Sequence, residues 1–146
     1  MGKRGQMKMS FGMIFSIILI IAFLAFAFYA IKNFLGMQQE IQINQFTENF
    51  QGDVDRLWKS TAGNKTVEYT LPSKIGNVCF IIDDFNNLLL YNSKNPAIFT
   101  EYNIKNIDIF ETVGSRESLC KKPVEGKISF KLQKDYNKPL VKIILN

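Results

Sequence analysis

Histidine is absent from the 146 residues. That removes the commonest general base and the commonest transition-metal ligand together, and with them much of enzyme chemistry. Cysteine is scarce: Cys79 and Cys120 are the only two. They form no CxxC pair, so neither a thiolate metal knuckle nor a dithiol redox motif can be written. No proline precedes Pro72, so nothing in the first half interrupts a helix on that account. Finally, no charged side chain occurs from Met9 to Ile31, and a soluble helix of that length rarely lacks one.

That uncharged run has positive content too. As a helix it covers roughly 34 Å, against about 30 Å for the hydrocarbon core of a bilayer. The spacing predicts a transmembrane helix within residues 6–35. Lys3, Arg4 and Lys8 precede it, whereas Lys32 and then Glu40 and Glu48 follow. By the positive-inside rule the N-terminus is expected in the cytoplasm and the C-terminal domain outside it, with membrane lipid as a partner. Ala25-Phe26-Ala27 resembles a signal-peptidase site, but the apolar run continues through Phe28 to Ile31 instead of stopping there. Gly12 and Ser16 form a small-xxx-small pair that would let a second helix approach closely in lipid.

The formal net charge of +5 belongs largely to Lys3, Arg4, Lys8 and Lys32. The remainder is close to neutral, so no nucleic-acid partner is expected. Lys121, Lys122 and the lysines from Lys127 to Lys142 are read as solvated strand positions that also discourage edge pairing.

After Gly36, residues 36–60 carry Ile41, Phe46, Phe50, Val54, Leu57 and Trp58 at steps that fit a helix with one apolar stripe. The acidic Glu40, Glu48, Asp53 and Asp55 precede Arg56 and Lys59, the order the helix dipole favours. Ser60 to Lys65 is rich in turn formers, and from there the period becomes that of strands. Six strands are expected, at Thr66–Leu71, Val78–Ile82, Leu88–Tyr91, Ile104–Phe110, Lys127–Lys134 and Pro139–Leu145, each bounded by Gly, Asn, Pro or Ser. Lys127 to Leu132 alternates cleanly, so one face of that strand is wet. The fold class is therefore α+β: a long N-terminal transmembrane and amphipathic helix, then a small antiparallel sheet or sandwich over residues 61–146 with the helix covering one face.

Few residues suggest chemistry. An even cysteine pair in an extracytoplasmic domain predicts a disulfide between Cys79 and Cys120, and closing that loop is worth about 4 kcal/mol. Asn64-Lys65-Thr66 is an N-x-Thr glycosylation acceptor in an expected surface loop. Asp83-Asp84-Phe85-Asn86-Asn87 offers oxygen ligands of the kind calcium takes, but its composition is that of a polar hairpin turn. No nucleophile, phosphate loop or cofactor motif is present. Catalysis, a cofactor and a bound metal are not expected.

This order of parts, with Lys3-Arg4-Gly5-Gln6 at its start, resembles the type IV pilins and archaeal pilin-like proteins. Lys3 to Gln6 looks like the class III leader that a prepilin peptidase cuts between Gly and Gln. The resemblance implies removal of residues 1–5 at Gly5 and Gln6, with Gln6 as the mature first residue. It implies that Phe11 to Leu35 packs with copies of itself or with other pilin-like subunits, in a surface filament or pseudopilus with the β domain outside. The family usually has a glutamate at the fifth mature position, where this chain has Ser10, and is apolar where it has Lys8. Those departures suit a minor or pseudopilin-like subunit. They equally suit an uncleaved single-pass ectodomain that binds or adheres.

Overall fold

The computed structural model describes residues 11–145. Its first element, α1, is a helix over Phe11–Trp58. It contributes to two compact units that divide between Gln38 and Gln39. In the first unit every described residue is exposed.

The second unit is an α+β domain. Its strands are β1 (Gly63–Thr70), β2 (Ile75–Ile81), β3 (Leu88–Asn92), β4 (Phe99–Tyr102), β5 (Ser118–Lys121), β6 (Lys127–Lys134) and β7 (Lys142–Ile144), with the short helix α2 (Ile109–Val113) between β4 and β5. They form two antiparallel sheets, in the orders β1-β6-β7 and β4-β3-β2-β5. β1 and β6 are in register over their whole length, from Gly63 opposite Lys134 to Thr70 opposite Lys127.

Alternation builds the core. Val67 and Tyr69 of β1 and Ile128, Phe130 and Leu132 of β6 point inward, while their neighbours face water. Into this face α1 sets Ile43, Phe46, Phe50 and Val54, all buried. Steps of three and four keep them on one side of a 3.6-residue helix. Phe50 is the pivot. Its ring lies 5.5 Å from that of Phe130 and 6.0 Å from that of Phe80, so one side chain of α1 touches both sheets. Phe80 and Phe130 also meet directly, edge to face at 5.6 Å. One apolar cluster runs from Ile43 to Ile143.

The stripe differs from the expected one at its ends. Ile41 is 47% exposed and Trp58 is 38% exposed, whereas Ile43 is buried. Position 41 lies on the far side of the helix from 43, and the true stripe is Ile43, Phe46, Phe50, Val54 and the partly buried Leu57. Gly36 and Gly52 both lie within α1, with open space where a Cβ would stand.

The strand expected at Ile104–Phe110 is not one. Asn106 adopts a left-handed backbone (φ 64°), which breaks an extended run. Asp108 then accepts a hydrogen bond from the Glu111 N–H at 2.9 Å and caps α2. Ile104 and Ile107 still enter the core, from a loop. One parallel bridge joins Ile107 to Val141. The final strand is also shorter than Pro139–Leu145, and Gly63 to Lys65 is strand where turn was expected. β4 and β5 are strands where the sequence pattern predicts none.

Candidate functional site

The most unusual surface is on α1. Phe11, Ile18, Ile20, Ile21, Phe23 and Phe26 are all more than half exposed. An apolar surface this extensive marks a place where something other than water belongs. The helix is long and apolar enough to cross a membrane. Gly12 and Ser16 fall one turn apart on one face of it, and the Ser16 hydroxyl donates to the Gly12 carbonyl at 2.8 Å. That internal bond satisfies the only polar side chain between Phe11 and Tyr29, so the face stays close-packing and chemically apolar. Gly5 and Gln6, like Lys8 and Ser10, lie outside the described residues.

Within the β domain, Cys79 and Cys120 stand opposite one another on β2 and β5 and are joined by a disulfide. Cys79 is buried and Cys120 is exposed. The bond ties an edge strand, β5, to its strand neighbour β2. Asn64 is exposed but lies in β1, not in a loop. The β strand begins earlier than the turn formers suggest because Gly63 to Lys65 find partners in β6.

The segment from Asp83 to Asn87 connects β2 to β3 and is held by its own side chains. Asp83 accepts the Asp84 N–H at 2.8 Å. The Asn86 amide donates to Glu101 at 2.9 Å. Asn87 donates to the Ile104 carbonyl and accepts the Ile104 N–H, both at 2.8 Å. These are turn contacts. Among the described residues, no group of three or more His, Cys, Asp or Glu side chains is gathered where a metal could bind.

A polar lock that the sequence does not announce fixes α1 to β1. Asp53 accepts from the Lys65 ammonium at 2.9 Å and from the Tyr69 hydroxyl at 2.8 Å, with Arg56 3.6 Å away. Burial alone would raise the Asp53 carboxyl. The hydrogen bonds from Lys65 and Tyr69 and the charges of Lys65 and Arg56 outweigh that, and its pKa lies below the ordinary 3.8. Burial, then the carboxylate it bonds, push the Tyr69 hydroxyl far above its ordinary range. A second lock joins α1 to the loop before α2. Gln51 accepts the Lys105 N–H, and Asp55 accepts from the amides of Gln51 and Asn106, each at 2.8 Å.

The concavities of this domain are shallow. One of about 440 Å³ runs beside α1 past Glu48, Asp55, Tyr102 and Asn103, and another of about 280 Å³ lies among Glu40, Asn44, Lys74 and Tyr102. Burial first, and the Glu40 charge second, raise the Tyr102 hydroxyl.

No family model, curated protein or solved structure matches this chain. Its architecture stands on its own geometry: one long apolar N-terminal helix followed by an antiparallel β domain, compatible with a pilin-like layout. The surface with the most to offer is therefore the exposed helix.

Proposed function

We propose that the chain is a pilin-like structural subunit. In this reading its apolar helix packs with copies of itself or with other pilin-like subunits in a surface filament or pseudopilus. The N-terminus faces the cytoplasm during insertion, the β domain stands outside, and a prepilin peptidase removes residues 1–5 between Gly5 and Gln6. The observation that carries the reading is the first unit, whose described residues 11–38 are all exposed and largely apolar, in a chain whose second unit is a compact α+β domain. Such a surface needs lipid before assembly and other helices after it. The lack of histidine and the shallow concavities support a structural role over a catalytic one.

Intact-mass measurement of the mature protein tests this. A chain beginning at Gln6 is expected. A chain beginning at Met1 or Gly2 overturns processing and favours a second reading, an uncleaved membrane-anchored binding or adhesion module, with which Lys8 and Ser10 are equally compatible. Assembly supplies an independent readout. Gly12→Ile or Ser16→Ile should abolish co-purification of subunits while leaving the β domain folded, because a branched side chain holds the helices apart. Unchanged assembly would count against the Gly12–Ser16 face.

A further inference from the structure

We propose that Asn64 is an N-glycosylation site and that the sugar is attached before β1 pairs with β6. This rests on the extracytoplasmic placement of the β domain given above. Asn64 is the one asparagine of the chain followed two positions later by Ser or Thr, and Lys65 between them is compatible with the acceptor motif. In β1, successive side chains take opposite faces. Asn64 and Thr66 therefore share one face, and both are exposed. Lys65 between them takes the other, where it reaches Asp53 at 2.9 Å. The acceptor amide and the hydroxyl that assists it thus lie together on the outer surface, and a glycan there would displace no core side chain.

The strand setting fixes the timing. Among the described residues, β1 lies at the edge of its sheet and its only strand neighbour is β6. Asn64 pairs with Gln133, far along the chain. Domains form as the chain emerges, N-terminal parts first, so Asn64 crosses the membrane with its partner strand still absent and its backbone free to enter a transferase. The co-reactant is a membrane-borne polyprenyl phosphate-linked oligosaccharide. The Asn64 side-chain nitrogen forms a bond to the anomeric carbon, the bond from that carbon to the phosphate oxygen breaks, the lipid phosphate leaves, and the amide gives up one proton. Once folded, the glycan stands on an edge strand, where bulk discourages edge-to-edge pairing of sheets.

The test is mass spectrometry of the full chain isolated from the cells that produce it. A mass increment is expected, located on the peptide that contains Asn64. It should vanish completely in Asn64→Gln and in Thr66→Ala and persist in Thr66→Ser, all at exposed positions where the fold is undisturbed. Unfolding midpoints of the variants report that directly. An unmodified Asn64 in the wild-type chain overturns the proposal. Labelling of intact cells with a membrane-impermeant amine reagent then separates the two failures: labelled Lys94 or Lys122 leaves the extracytoplasmic placement standing, whereas unlabelled lysines remove it as well. An increment that appears equally when purified folded protein is offered to the transferase overturns the timing.

Discussion

Phe50 and Asp53, on successive turns of α1, divide the work of attachment. Phe50 is fully buried, stacks on Phe46, meets Tyr69 edge to face and packs at a tilt on Phe80 and Phe130. Tyr69 belongs to both groups, since its ring packs on Phe46 and Phe50 while its hydroxyl reaches Asp53. A buried tyrosine hydroxyl needs such a partner, because stranding it costs about 1–3 kcal/mol. Asp53→Asn keeps the shape but loses the charge that Lys65 and Tyr69 bind. We expect a loss of about 1–2 kcal/mol at neutral pH. The pH dependence has a definite sign. The carboxyl titrates below its ordinary 3.8 when folded, so its contribution is complete above that value and fades as the pH falls through the lower folded one. Urea unfolding of the two chains in detergent should show a constant gap above about pH 5 that closes in strong acid. A gap that is equal at every pH would assign the loss to geometry, not charge.

At the level of elements, what could be read in advance depended on how local the signal was. The α1 stripe was legible because 3.6-residue periodicity is written in consecutive side chains, and only its ends, Ile41 and Trp58, were misplaced. β6 was legible for the same reason, at period two. β4 and β5 are four-residue edge strands, too short to show a period, and Phe99-Thr100-Glu101-Tyr102 reads as well for a loop. Ile104–Phe110 misled in the opposite sense, since β-branched residues that fill a core from a loop look like a strand until Asn106 and Asp108 turn the backbone. Of the candidate site residues, the cysteine pair and the Asn64 motif could be found by counting. The Asp53–Lys65–Tyr69 lock could not, because nothing local links those positions. β5 shows what the disulfide does. Beyond Cys120 it is a short, largely exposed edge strand. Cys79→Ala with Cys120→Ala should cost about 3–4 kcal/mol. Hydrogen exchange should accelerate at Ser118 to Lys121 before it does in β6. Uniform acceleration across both sheets would show that the bond stabilises the domain only as a whole.

For the whole molecule, the consequential fact is where the core begins. Its first member is Ile43, and the residues from 11 to 38 are all exposed. The division between Gln38 and Gln39 therefore cuts no buried side chain. A helix start at Gln39 would forfeit some intrahelical hydrogen bonds, but these are solvent-exposed turns that fray at small cost. Packing of Ile43, Phe46, Phe50 and Val54 on the sheets holds the rest. A chain beginning at Gln39 should consequently fold as a monomer without detergent, retain the Cys79–Cys120 bond, and unfold cooperatively within about 1 kcal/mol of the detergent-solubilised full chain. The full chain should partition into membranes and require detergent, since its first unit presents apolar surface only lipid or other helices can cover. Solubility and the urea midpoint decide the matter together. If the shortened chain aggregates or melts without a transition, the first unit supplies part of the fold, and the separation of anchoring from folding fails. If it is soluble and cooperative, residues 11–38 add nothing to the fold of the second unit, and substitutions there should leave its urea midpoint unchanged.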